Sequence, residues 1–364
     1  MTMRRTAATL CLGLALAASE PARAGAVPVD IDEAARRAPS AQTNADHGRY
    51  APLRAYDSLG RAVCLREPAR RVVTLAPHAT ELLLLAGGAA TLAGTVAGPQ
   101  LPPPPEGVAA VGDAQRVNPE ALARLRPDLV IAWMPLFGGP QQQSDAGQAA
   151  DSEDMPTGCI PGPDLPGRGN SSHVVQRVLQ VTRAAVFYSR PGRLDDIPAQ
   201  IEALGTLLGT DAQARAAAAA LRERLQQLRR THAQQPRLRV FVHAGQDPLY
   251  TLNGEHILSD ALDTCGADNV FAHLPVPAPM VGVESVLQAR PDLIVAGRST
   301  SGFPDVRAYW SRFANALPAA RAGNIVLVDE DLLYRPGPGL IEATHQLCTA
   351  FARFRAGENS LRNQ

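Results

Sequence analysis

Residues 70–94, RRVVTLAPHATELLLLAGGAATLAG, predict a strand, a turn and a helix around which the rest of the chain is arranged. The β-branched apolar run after the arginine pair is typical of a buried parallel strand. Thr80 is expected to cap a helix over the apolar run 82–86, with Glu81 at the positive end of the helix dipole. Residues 76–79 would then form a loop at the carboxyl end of a parallel strand, where open α/β sheets bind their ligands.

The composition is that of a globular chain with room for two domains. The 364 residues are 45% hydrophobic, which is enough apolar side chain to build a core in each domain. The 35 basic residues are all arginine and are balanced by 35 acidic residues. This balance gives no basic stripe of the kind that binds nucleic acid, so no nucleic-acid partner is expected.

The first 24 residues have the features of a cleaved signal peptide. Arg4 and Arg5 precede an apolar region over residues 6–18, and Ala22-Arg23-Ala24 supplies a small-x-small cleavage site. The mature protein is therefore expected in the periplasm. Residues 25–69 follow with no sustained hydrophobic period and are predicted to be a mostly irregular leader.

An internal repeat indicates two lobes of the same design. ArgProAspLeuValIleAla at 126–132 is echoed by ArgProAspLeuIleValAla at 290–296. Each copy follows a short helical pattern and leads into an apolar strand, which is typical of strand–helix units in a parallel sheet. The prediction is α/β: two Rossmann-like lobes over 70–192 and 236–364, each a mostly parallel sheet with flanking helices. Residues 134–169, rich in Pro, Gly, Gln and Asp, are predicted to be an insertion loop in the first lobe.

A helical tract joins the two lobes. Leucines recur at three- and four-residue spacings from residue 194 to 230, and Gly209 interrupts the pattern once. Two helices are therefore expected within a helical spine over 193–235. No Gly/Ser linker lies between the lobes, so the spine should be rigid, with a ligand cleft between the lobes it joins.

Four side chains are candidates for that cleft from their positions alone. His78 and His243 follow the first strand of each lobe, so they could face one another and clamp a ligand or a metal centre. The alternative is that each histidine makes its hydrogen bonds to the protein backbone and not to a ligand. Asp113 is either a cleft residue or an ordinary turn aspartate, and Trp133 is either a wall of the site or a core aromatic.

Four cysteines follow the signal peptide, and an even number in an oxidising compartment favours disulfides. The sequence allows three pairings, or buried free thiols. Cys64 and Cys159 both lie outside the regular elements, so a bond between them could hold the insertion loop.

Five segments, taken in order, resemble the substrate-binding proteins of cobalamin and iron-chelate importers, and the cobalamin-binding members most closely. They are RRVVTLAPHATELLLLAGG, NPEALARLRPDLVIAW, DPLYTLNGEHILSDALDTCGADNVF, VESVLQARPDLIVAG and LIEATHQLCTAF. The resemblance covers roughly residues 70–355 apart from the insertion. It implies two lobes on a rigid helix, with a ligand in the cleft between them.

The resemblance also implies roles for individual residues. Glu120 and Glu284 match two surface glutamates that dock onto arginines of the membrane permease; stabilisation of a helix dipole explains them equally well. Cys265 and Cys348 match the disulfide of the family. Further implied ligand contacts are on two loops, at Tyr250, Tyr334 and Arg335.

The sequence departs from the cobalamin-binding pattern at three aromatic positions. Gly98, Ala114 and Ala278 stand where aromatic side chains pack around the corrin ring. A flat macrocycle needs large apolar faces to exclude water, so these losses weaken the expectation of cobalamin itself.

The expected function is delivery of a cobalamin-like corrinoid to the permease of an inner-membrane ABC importer, by a monomer without a cofactor or metal site of its own. A ferric siderophore or haem is the alternative ligand. An exported two-domain enzyme is less favoured, because the sequence contains no GxSxG elbow, phosphate-binding glycine loop, HExxH or CxxC.

Overall fold

The structure is a computed structural model that describes residues 52–100, 102–113, 116–133, 182–298 and 305–357. The predicted signal peptide, leader residues 25–51 and the predicted insertion 134–169 lie outside these ranges. Within these ranges, no helix combines the length and the apolar character needed to cross a bilayer.

The end of the predicted irregular leader is a β-hairpin, which corrects that prediction for residues 53–65. Strands β1 (Leu53–Tyr56) and β2 (Ala62–Leu65) pair antiparallel. The buried Asp57 holds the turn, because its carboxylate accepts hydrogen bonds from the main-chain N–H of Leu59 (2.8 Å) and from the Arg61 guanidinium (2.6 Å). The hairpin packs against the first lobe, whose predicted boundaries stay a prediction.

The first lobe is built on a five-stranded parallel sheet with flanking helices. The elements are β3 (Val72–Thr74), α1 (Pro77–Leu85), β4 (Leu92–Thr95), β5 (Ala109–Ala110), α2 (Pro119–Leu125), β6 (Leu129–Ala132) and β7 (Ala185–Tyr188). The strand order is β5-β4-β3-β6-β7. Strands β3 and β6 are completely buried, as the apolar runs predict.

The first helix starts earlier than the sequence predicts. It begins at Pro77, a residue suited to the first helical position because its missing N–H needs no partner there. The predicted loop over 76–79 is therefore wrong for its last three residues. Thr80 does not cap the helix; its hydroxyl contacts those of Thr74 (2.7 Å) and Thr95 (2.9 Å) on the sheet. Glu81 consequently lies in the second turn.

Two helices form the spine, α3 (Asp196–Leu208) and α4 (Asp211–His232), and the predicted break at Gly209 is confirmed. Gly209 adopts the left-handed conformation (φ 70°) that glycine tolerates at a helix end. The helices pack closely near this turn: a Cβ added to Gly205 would lie 2.2 Å from the Cβ of Ala214.

The second lobe has a four-stranded parallel sheet with flanking helices, so the predicted α/β fold class is confirmed. The elements are β8 (Leu238–His243), β9 (Gly245–Gln246), β10 (Leu249–Tyr250), α5 (Ile257–Thr264), β11 (Ala267–Asn269), α6 (Val283–Ala289), β12 (Leu293–Arg298), α7 (Val306–Ser311), α8 (Pro318–Ala322), β13 (Ile325–Asp329), α9 (Glu330–Leu333) and α10 (Gly339–Arg355). The strand order is β11-β8-β12-β13, and a small hairpin, β9–β10, follows β8.

The repeated Arg-Pro-Asp segment performs the same structural task in each lobe. Asp128 accepts a hydrogen bond from the main-chain N–H of Arg71 (3.1 Å), and Asp292 accepts one from that of Arg239 (2.8 Å). The side chain of each of these arginines donates to the carbonyl of the last residue of the short helix just before the Arg-Pro-Asp segment, α2 or α6, at 2.7 Å in both lobes. The aspartate thus fixes the start of the central strand to the end of the helix beside it.

The disulfide implied by the resemblance is confirmed: Cys265 and Cys348 are bonded and tie α5 to the closing helix α10. Cys64 is also disulfide-bonded. Its predicted partner, Cys159, lies outside the described residues, so that pairing stays a prediction.

Candidate functional site

The carboxyl ends of the two sheets face each other across a contact between α1 and the loop that precedes α10. An added Cβ on Gly337 of this loop would lie 2.8 Å from the Cβ of His78. Parallel sheets place ligands at this edge, so a ligand cleft is expected beside this contact.

His78 is held by its own lobe at this contact. It is 3% exposed, and its Nε2 lies 3.3 Å from the carbonyl oxygen of Ser189. Because a carbonyl can only accept, the proton is on Nε2. Burial lowers the pKa of His78 to about 4, so the ring is neutral at pH 7. The geometry favours the backbone-satisfied alternative, although the residue belongs to a helix rather than a loop.

His243 is buried and hydrogen-bonded within the second lobe. It is 5% exposed, and its Nδ1 accepts a hydrogen bond from the indole N–H of Trp310 (3.2 Å). Burial lowers the pKa of His243 to about 4, which leaves a neutral ring with its proton on Nε2. Neither a hydrogen bond nor a ring contact joins His243 to His78 within the described part of the chain. The two-histidine clamp gains no support from this arrangement.

Tyr334 uses its hydroxyl for two hydrogen bonds within the second lobe. Its hydroxyl donates to the main-chain carbonyl of His243 (2.8 Å) and accepts from the N–H of Gly297 (2.9 Å). These bonds join the carboxyl ends of β8 and β12, and burial raises the pKa of Tyr334 to about 12. Because the hydroxyl is used as both donor and acceptor within the lobe, the ring is the part of Tyr334 that a ligand can meet.

Arg335, the next residue, is bonded on one side alone. Its Nη2 contacts the carboxylate of Asp331, one turn earlier in the chain. Its Nη1 is buried and has no hydrogen-bond partner among the residues that the structure describes. A buried guanidinium N–H without an acceptor is costly, so this atom would donate favourably to a ligand oxygen that reached it.

Tyr250 lies on the β9–β10 hairpin after the central strand of the second lobe. It forms an antiparallel bridge to Met280, which is 66% exposed. Paired residues in such a bridge share one face, so Tyr250 and Met280 present apolar surface side by side. Ala278, at one of the lost aromatic positions, lies two residues before Met280 and is partly buried. Sequence reasoning missed Met280, although it is an apolar residue in the proline-rich run ValProAlaProMet.

The remaining ligand candidates are on the first lobe. Trp133 is partly buried after β6, and its ring lies 6.1 Å from that of His78, edge to face. Asp113 is exposed, and its carboxylate accepts from the N–H of Arg116 (2.7 Å), an ordinary turn hydrogen bond. Gly98 has open space where a side chain would stand, while Ala114 lies outside the described residues.

Glu120 and Glu284 occupy equivalent positions in the first turns of α2 and α6. Both side chains are exposed. Neither side chain makes a hydrogen bond or an ion pair to another described residue. Each helix ends on an arginine in the left-handed conformation, with φ of 44° and 45°, so the two glutamates are presented by matching local structures.

No group of three or more His, Cys, Asp or Glu side chains is arranged to hold a metal ion within the ranges that the structure describes. Tyr250 and Trp133 have aromatic rings that can contact a ligand, and Arg335 has a guanidinium N–H that can donate to one.

Comparison with known proteins agrees with this architecture. A family model described as "Periplasmic binding protein" matches residues 175–332. A vitamin B12-binding protein of Pectobacterium carotovorum is 31% identical over 293 residues, which are 80% of this chain and 91% of that protein. One from Vibrio parahaemolyticus is 27% identical over 302 residues, covering 83% and 95%.

Solved structures show the same fold. The crystal structure of the periplasmic vitamin B12-binding protein of Vibrio cholerae matches with a TM-score of 0.61 at 27% identity, covering 82% of this chain and 99% of that one. The periplasmic heme-binding protein of Roseiflexus sp. RS-1 matches with a TM-score of 0.59 at 18% identity, covering 79% and 99%. Because a relative is 31% identical over 80% of this chain, the chain belongs to the periplasmic binding proteins.

Proposed function

We propose that this protein is an exported binding protein that delivers a cobalamin-like corrinoid to the permease of an inner-membrane ABC importer. The observation that carries the proposal is the 31% identity to a vitamin B12-binding protein over 80% of the chain. The protein binds its ligand in the cleft and releases it unchanged, so it is not an enzyme. The sequence features of residues 1–24 support a periplasmic location.

The ligand contacts apolar side chains on one side and a polar side chain at its periphery. Tyr250 and Met280 supply apolar surface from the second lobe, and Trp133 supplies it from the first. Arg335 offers its unpartnered Nη1 to a peripheral oxygen of the ligand, such as an amide or phosphate oxygen. His78, His243 and Tyr334 act behind these residues and fix the ends of the strands.

Removing either contact should weaken binding of cyanocobalamin. Tyr250→Ala and Arg335→Ala are each expected to raise the dissociation constant by about 10- to 100-fold, since each contact is worth on the order of 1–3 kcal/mol. Calorimetric titration of purified mature protein measures the effect. Glu223→Ala is the control, because Glu223 is exposed on the spine helix α4 and is not a candidate ligand contact. Unchanged affinity in both test variants would contradict this description of the site.

A ferric siderophore or haem is the second candidate ligand. The observation that favours it is the absence of aromatic side chains at Gly98 and Ala278, which removes apolar faces expected around a corrin. The same titration with haemin and a ferric hydroxamate separates the candidates. Binding of an iron chelate without binding of cyanocobalamin would replace the ligand and retain the transport function.

Docking to the permease is assigned to Glu120 and Glu284. Their exposure and their equivalent positions on the two lobes suit two matching contacts with basic residues of a membrane partner. Reversing both charges with Glu120→Arg and Glu284→Arg is expected to reduce ligand uptake by cells more than tenfold while leaving ligand affinity unchanged. Reversal at the exposed Glu223 on the spine is the control. Normal uptake by the double variant would show that these glutamates do not dock.

A further inference from the structure

A buried carboxyl group from the first lobe faces the loop that carries Arg335. Glu81 lies on α1 and is 5% exposed. From the opposite lobe, the main-chain N–H of Gly339 acts on it as a hydrogen-bond donor. Gly337 packs so closely that an added Cβ would lie 2.9 Å from the Glu81 Oε2. The carboxyl group is therefore part of the contact between the lobes.

Two groups could accept a hydrogen bond from the second side of the Arg335 guanidinium: the carboxylate of Glu81 and an oxygen of the ligand. The Nη2 of Arg335 is bonded to Asp331 in its own lobe, while the buried Nη1 has no partner in the described part of the chain. The positive charge of Arg335 acts on Glu81, but the two side chains do not form an ion pair in this structure. An ionised Glu81 would attract the guanidinium across the contact between the lobes, and a ligand oxygen would compete for that guanidinium.

The charge of Glu81 is poised to change near neutral pH. Burial raises the pKa of Glu81 to about 7, against the opposing influence of Arg335 and the Gly339 N–H, with Asp331 adding to the rise. The other titratable group beside it on α1 is His78, whose pKa burial lowers to about 4. His78 therefore remains neutral over the range in which Glu81 titrates.

We propose that Glu81 is a positioning residue for ligand binding: its neutral form leaves Arg335 free to bind an oxygen of the ligand, and its ionised form competes for the same guanidinium. This inference rests on the proposed function, because it requires a ligand in the cleft. It makes the affinity fall as pH rises, and it places the pH-sensitive group on the lobe opposite the arginine it controls.

The test is calorimetric titration at about pH 6 and about pH 8.5, using whichever of cyanocobalamin, haemin or a ferric hydroxamate the wild type binds. If only protein with neutral Glu81 binds, wild-type affinity should fall by about tenfold or more between the two pH values, with a limit of about 30-fold. Glu81→Gln keeps the shape and can still accept from Gly339, but it cannot ionise. Its affinity should stay high at both pH values.

Two controls separate the possible failures. Arg335→Gln should bind weakly at both pH values, because the group that Glu81 controls is gone. Titration of the ligand itself would affect all variants equally. An equal pH dependence in wild type and Glu81→Gln would overturn the inference and leave the proposed function intact. Absence of wild-type binding to all three chelates would overturn the proposed function, and the inference with it.

Discussion

Replacing both Cys265 and Cys348 by alanine is expected to lower the free energy of unfolding by about 4 kcal/mol. The bond spans 83 residues of sequence and joins α5 to α10. Cutting it releases the conformational restriction on the unfolded chain, which grows with the length of the closed loop. Both sulfurs are buried, so alanine at these positions adds no unsatisfied polar group.

Urea unfolding of the oxidised wild type and of the double variant measures this loss. The variant should unfold at a clearly lower urea concentration. Cys265→Ala alone is the matched control and should lose nearly as much stability, because either change breaks the bond. A loss below about 1 kcal/mol in the double variant would contradict the stabilising role assigned to this disulfide.

Glu81→Gln is expected to stabilise the protein at alkaline pH. The pKa of Glu81 is raised by burial from 4.5 in the unfolded chain to about 7 in the folded protein. The raised pKa does not change the free energy of unfolding below about pH 4.5, where the carboxyl group is protonated in both states. The loss of unfolding free energy grows as pH rises towards 7 and is fully present above it, at about 3 kcal/mol for this shift. The glutamine variant never has this loss.

The difference in unfolding free energy between Glu81→Gln and wild type should therefore increase from about pH 5 to about pH 8. Urea unfolding at several pH values gives this difference directly. Glu202→Gln is a useful contrast, because the pKa of Glu202 is lowered by its hydrogen bond to Arg222 and the variant should show no alkaline gain. A flat difference for Glu81→Gln would mean that the carboxyl group is not buried as described.

The repeat in the sequence predicted the two-lobe architecture because it contains the residues that build it. Asp128 and Asp292 stand out in the amino-acid sequence, since each follows the same Arg-Pro pair and precedes an apolar strand. The folded chain adds the main-chain N–H groups to which those aspartates bond. Gly209 similarly marked the turn in the spine, because a glycine followed by residues that favour a helix start, here Thr210 and Asp211, often separates two helices.

The first helix shows where local signals compete. Pro77 and Thr80 are both acceptable near a helix start, and the sequence favoured Thr80 as the cap. The hydroxyl of Thr80 instead reaches Thr74 and Thr95 on the neighbouring strands, a tertiary contact that local sequence does not encode. The short β1–β2 hairpin was missed because four-residue strands carry little periodicity.

The candidate site residues lie at strand ends or on the loops beside them, and their roles toward a ligand stay predictions. Residues at strand ends were chosen because ligands bind there, yet His78, His243 and Tyr334 use their polar atoms within the protein. Whether a side chain at a strand end points to a ligand or to a neighbouring loop depends on packing between distant segments. Glu81 is the clearest case, because its environment comes from Gly337 and Gly339 of the other lobe.

The central claim is that the cleft binds a corrinoid, and calorimetric titration of the wild-type mature protein with cyanocobalamin tests it most directly. Haemin and a ferric hydroxamate are titrated in parallel. We expect one binding site per protein molecule for cyanocobalamin, with a submicromolar dissociation constant. The absence of cyanocobalamin binding alongside tight binding of an iron chelate would contradict the corrinoid assignment, and the absence of binding to all three would contradict the importer function.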